Sequence, residues 1–116
     1  MKTESMKRVS AAALGAALFL LVAGEAAAGG NAAAGERKAA VCLACHGPAG
    51  NVPISPDYPR LGGQHADYLL HALQDYKKGA RKDSIMSGQV EQLSKQDMAD
   101  LAAYFGAQAG TLVVKY

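Results

Sequence analysis

Apolar residues are distributed along this chain in distinct ways. Residues 9–24, VSAAALGAALFLLVAG, are apolar almost without a break and uncharged. Farther on, the apolar residues recur at three- and four-residue spacing. Ala66, Leu69, Leu70, Leu73 and Tyr76 form one stripe, which predicts a helix within QHADYLLHALQDYKKG. Lys77 and Lys78 suit the negative C-terminal end of that helix, and Gly79 is a natural stop. Met98, Leu101, Ala102 and Phe105 give the buried face of a last helix. It starts at Ser94 with Asp97 three residues on, the spacing of a capping box. Upstream, AAAGERKAAV predicts a first helix, capped by Asn31 and running toward Cys42. Residues 47–63 have no period and hold all four prolines, so they read as a long loop. Residues 80–93 read as a short linker carrying Met86. Strand-like alternation is confined to residues 111–114, so the chain reads as all-α.

The first apolar run follows Lys2, Lys7 and Arg8 and precedes Ala26-Ala27-Ala28. A positive start, a short apolar stretch and a small-residue site make a secretory signal peptide of residues 1–28. The run is shorter than the ~20 residues a spanning helix needs. A retained anchor is the alternative, and the one way this chain would meet a membrane. Cleavage leaves residues 29–116 as one small domain, exported to the periplasm. A chain this short buries a marginal core and usually needs a disulfide, metal or cofactor to staple it.

Charge changes the picture only by exclusion. The chain has twelve Lys and Arg and ten Asp and Glu. Removing Lys2, Lys7, Arg8, Glu4 and Glu25 with the leader leaves nine against eight. Near neutrality, with no basic run and no interleaved aromatics, argues against a nucleic-acid partner. Lys77, Lys78, Arg81 and Lys82 form the one local basic cluster, either a docking edge or a solvated helix end.

The candidate chemistry lies in VCLACHGPAG, which holds both cysteines, Cys42 and Cys45, with His46 directly behind. Four readings compete. In covalent haem attachment, the two thiols add to the two vinyl groups of haem and His46 ligates the iron. A thioredoxin-type dithiol would follow a strand in a βαβ pattern, which is lacking. Zinc held by Cys42, Cys45, His65 and His71 approaches a finger spacing, but with a long linker and a redundant His46. A disulfide closing so short a loop would constrain the unfolded chain very little. Haem attachment is the preferred reading, and it supplies a large flat apolar body for the helices to pack around.

A haem iron held by His46 has a second axial position. Met98 is in phase with its helix's buried face and reads as core. His65 and His71 read as solvated histidines of the second helix. Met86, in the linker beside Ser87-Gly88, is the preferred ligand; the competing reading is a methionine filling a gap in the core. A soft thioether favours ferrous iron and raises the reduction potential.

These residues resemble the class I c-type cytochromes, most closely the small bacterial monohaem members and the single-haem halves of the periplasmic dihaem cytochromes. The likeness runs through Cys42-Leu43-Ala44-Cys45-His46-Gly47, then Tyr58-Pro59-Arg60-Leu61-Gly62-Gly63-Gln64, Met86, and the last helix from Leu93 to Phe105. The resemblance implies three main helices around one haem c, with Cys42, Cys45, His46, Met86, Pro59 and Leu61 at the cofactor. It implies that first and last helices cross closely at Gly35, against Tyr104 or Phe105. It implies that a proline carbonyl accepts the Nδ1–H of His46, with Pro59 the first choice and Pro53 the second. Gly62-Gly63 replaces the commoner Leu-Ala-Gly, and residues 110–116 extend past the usual end. The function implied is a periplasmic one-electron carrier with protein donor and acceptor, among them a flavoprotein or a membrane oxidase or reductase, and no catalytic residue. The alternatives are the haem subunit of a larger oxidoreductase, such as a sulfide-oxidising flavocytochrome, and a haem-based sensor, which needs an open iron position.

Overall fold

The computed structural model describes residues 29–110. The leader expected at 1–28 and the alternation at 111–114 lie outside them. Among the described residues five α-helices follow one another: α1 (Ala32–Lys38), α2 (Ala40–His46), α3 (Ala66–Lys78), α4 (Ser84–Val90) and α5 (Lys95–Gly106). Among the described residues there is no strand, and no helix is long and apolar enough to cross a membrane.

The expected first helix forms, but as two pieces. The Asn31 side chain caps it, accepting from the backbone N–H of Ala34 at 2.8 Å. At Ala39 the bonding tightens to a three-residue turn: Ala39 N–H donates to Glu36, and Cys42 N–H donates to Ala39. Ala39 is wholly buried in the core beside Leu101, Ala102 and Phe105. The turn thus sets α2, with both cysteines, in its own direction. Gly47 ends α2 at φ 77°, and a Cβ there would lie 1.7 Å from the Val52 carbonyl oxygen.

α1 and α5 cross at Gly35, where a Cβ would meet the Asp100 carbonyl oxygen at 2.0 Å and Tyr104 Cβ at 2.7 Å. The crossing is also pinned by charge. Lys38 Nζ lies 2.8 Å from Asp97 and 2.7 Å from the buried Asp100 carboxylate, which also accepts from Asn31 N–H and Gln96 Nε2. α5 begins with the expected capping box: the Ser94 hydroxyl accepts from Asp97 N–H, and the Asp97 carboxylate accepts from Ser94 N–H. Met98, Leu101, Ala102 and Phe105 are all buried.

Two expectations need correction. Ala66, counted in the apolar stripe of α3, is exposed, whereas Leu69 is buried. The segment read as a linker contains α4. Asp83 caps it, its carboxylate accepting from the N–H groups of Ile85 and Met86 at 3.0 and 2.9 Å. Val90 is its one buried residue.

Candidate functional site

A cavity of about 590 Å³ opens between the α2 segment, the long loop, α3, α4 and α5, a volume typical of ligand sites. Cys42, Cys45, His46, Pro59, Leu61 and Met86, the six residues singled out from sequence, all line it. Leu69, Leu73, Leu101 and Phe105 supply much of its apolar wall.

Cys42 and Cys45 stand three residues apart on α2 and so share a face. Both thiols are free and half-buried. Burial pushes the Cys42 thiol above its ordinary pKa, and the neighbouring Cys45 adds to the rise, outweighing a backbone hydrogen bond that opposes it. A dithiol redox enzyme needs the opposite shift. His65 and His71 do not join the cysteines. His65 is exposed at the start of α3, and His71 is exposed and 3.2 Å from Asp75. Among the described residues no group of three or more His, Cys, Asp or Glu gathers as a metal cluster. The finger-like spacing is therefore coincidental.

His46 closes α2 and is only 4% exposed. Its Nδ1 lies 2.7 Å from the Pro59 carbonyl oxygen. A carbonyl only accepts, so Nδ1 carries the hydrogen and Nε2 of the neutral ring keeps the lone pair. The Tyr58 ring meets the imidazole edge-on at 6.1 Å. Pro59 reaches His46 because the loop is tied back on itself: Ile54 N–H donates to Cys45, Leu61 N–H to Gly50, and Gly63 N–H to Phe105.

Of His65, His71, Met86 and Met98, only Met86 lines the cavity among the described residues; Met98 is core. Donors from two different elements, nitrogen on α2 and sulfur on α4, thus share one apolar chamber with two thiols. Arg60 and Arg81 also line it and suit the carboxylates of an acidic cofactor. The donor set fits haem: sulfur for attachment, nitrogen and thioether for iron, cations for propionates.

The basic cluster reads differently in the fold. The Lys77 ammonium donates to the carbonyls of Val90, Glu91 and Leu93. Lys78 pairs with Asp75 at 2.8 Å. Arg81 stacks over Tyr76 at 4.9 Å, and a hydrogen bond with Tyr68 is the main cause raising its pKa. Three of the four cations are engaged within the protein. Sequence reasoning missed the role of Lys77 because its partners lie thirteen to sixteen residues away and leave no local signal.

Comparison with known proteins shows the family of the chain. The family model described as Cytochrome c matches residues 32–107. A cytochrome c4 of Pseudomonas aeruginosa is 52% identical over 91 residues, 78% of this chain and 45% of its own. Cytochrome c-554(548) of Halomonas halodenitrificans is 44% identical over 82 residues, 68% of this chain and 98% of its own. The crystal structure of reduced recombinant cytochrome c4 from Pseudomonas stutzeri superposes with a TM-score of 0.67 at 46% identity, covering 72% of this chain and 48% of that one. The chain spans about half the length of the cytochrome c4 relatives it matches.

Proposed function

The chain belongs to the cytochrome c family, and on that premise we propose that it is a periplasmic one-electron carrier with a single haem c. Cys42 and Cys45 attach the haem, and His46 and Met86 ligate its iron from α2 and α4. When bound, the haem supplies a one-electron iron couple. The protein holds, orients and shields that couple, and breaks no substrate bond.

Each residue has a physical task. Pro59 accepts the Nδ1–H of His46 at 2.7 Å, which fixes the ring and makes Nε2 the ligating atom. With His46 and Met86 both given to the iron, the bound haem would have no open position for oxygen or peroxide. The Met86 thioether favours the ferrous state. Leu61, Leu69, Leu73, Leu101 and Phe105 keep water from the ring. The partners are redox proteins, and with near-neutral charge and most of the basic cluster engaged internally, their encounter relies little on long-range steering.

The observation that carries this reading is the convergence of two thiols, a tautomer-fixed buried histidine and one methionine on a single apolar cavity. Export and maturation in a host competent to attach haem should yield a coloured product. It should keep its haem on a denaturing gel, titrate as a one-electron couple, and in the reduced state resist carbon monoxide. A colourless chain weighing no more than its amino acids would overturn the carrier; carbon monoxide bound readily at neutral pH would replace it with a sensor.

A further inference from the structure

Of the helices around the cavity, α4 alone puts no residue in or against the central hydrophobic cluster, whereas α3 contributes Leu69, Leu70 and Leu73. α4 has seven residues, Val90 is its one buried residue, and Ile85 is half exposed. Elements with so few buried contacts open at low cost. Yet α4 carries Met86, four residues before Val90 and so on the same face. Its C-terminal end, where the Val90 carbonyl accepts from Leu93 N–H, runs through Glu91 to Leu93 with carbonyls able to accept further bonds. A single side chain holds this end: Lys77 Nζ lies 3.4 Å from the carbonyl oxygen of Val90, 2.9 Å from that of the capping residue Glu91 and 2.5 Å from that of Leu93 just beyond. Lys77 stands one residue from the end of α3, whose Leu69 packs in the central core. The ammonium therefore ties the lightly held α4 to a firmly held helix.

From this geometry we propose that Lys77 is the positioning residue for Met86, and that its grip on the end of α4 sets how tightly the thioether stays on the iron. The inference rests on Met86 being the axial ligand. Fixing the Val90 carbonyl fixes the rotation and the depth of a two-turn helix, and hence where a side chain one turn earlier reaches. The positive charge on the helix's C-terminal carbonyls adds electrostatic hold. Lys77 itself is exposed, so its removal leaves the buried core intact.

The test uses the haem-loaded protein with Lys77→Met and Lys77→Arg, each with Met86 present and in the Met86→Ala background. Three quantities are read: the weak far-red absorption of ferric haem ligated by thioether, the rate at which cyanide binds the oxidised protein, and global stability in denaturant. Lys77→Met should weaken the far-red band and speed cyanide binding on the order of tenfold, the equivalent of about 1.4 kcal/mol, where helix content is still fully native. Lys77→Arg, which keeps several donors, should restore most of both. In Met86→Ala, Lys77→Met should no longer change the cyanide rate. If Met86→Ala alone alters band and rate while Lys77→Met alters only global stability, the role of Lys77 is overturned and the ligand stands. If Met86→Ala alters neither, the ligand assignment is wrong and this proposal falls with it.

Discussion

At the scale of single residues, the site depends on what each side chain is prevented from doing. His46 is buried and its Nδ1 is committed to Pro59, so the ring presents one nitrogen in one tautomer. The cysteines were legible because their spacing to His46 is local. Pro59 was legible only through resemblance, since contact between residues thirteen positions apart depends on how the loop folds back. Met86→Ala should leave haem attached through Cys42 and Cys45, lower the reduction potential and admit carbon monoxide. The drop should be a substantial part of the ~0.8 V range over which axial ligands tune haem. Redox titration and carbon monoxide difference spectra check this, and an unchanged potential would retire the assignment. Gly35 makes a second case. A Cβ there would enter the Asp100 carbonyl at 2.0 Å, against backbone that cannot rotate away. Gly35→Ala should therefore cost at least ~1–3 kcal/mol, as overpacking does, seen as a lower denaturant midpoint with an unchanged slope.

At the scale of elements, caps and periodicity decided what could be read. α5 announced itself twice, through a buried face and through Ser94 with Asp97, and the structure has both. Ser94→Ala should cost about 1 kcal/mol, the usual value of such a cap, measurable by thermal unfolding. α3 showed its stripe and its Gly79 stop, though Ala66 faces solvent. α4 could not be read, because in seven residues it sends none to the central hydrophobic cluster and so has no stripe to detect, and Gly88 within it speaks against a helix. Its formation rests on Asp83 at one end and Lys77 at the other. Asp83→Ala should thus act unlike Ser94→Ala. It should cost little global stability but loosen the Met86 segment, seen as faster amide hydrogen exchange confined to residues 84–90.

At the scale of the whole molecule, the two chain ends of the described domain are locked together by a buried charge at the crossing of α1 and α5. Lys38, bonded to both Asp97 and Asp100, holds each carboxyl down to a pKa of about 2; the Ser94 N–H reinforces the shift at Asp97, and the Asn31 N–H does so at Asp100. The lysine is raised in turn by the same two carboxylates. No local pattern foretold this, since Lys38 and Asp100 are sixty-two residues apart. The sign of its effect follows from proton counts. Between about pH 4 and pH 2 the unfolded chain binds protons at these carboxyls that the folded chain refuses, so stability rises with pH across that window. The contribution is full above about pH 4 and is lost as pH falls toward 2. For Lys38, whose folded pKa is the higher one, the contribution is full below about 10.5 and is lost as pH rises through the folded value. Asp100→Asn keeps the shape but removes the charge that Lys38 needs. Denaturant titrations of the haem-loaded protein, followed by helix content rather than haem colour, should show the variant less stable than the parent at pH 7. The gap should narrow steadily from pH 4 to pH 2, where the parent's carboxylate itself begins to take up its proton. A gap of constant size across that range would mean that Asp100 acts through shape and hydrogen bonding alone, and that charge does not hold the crossing.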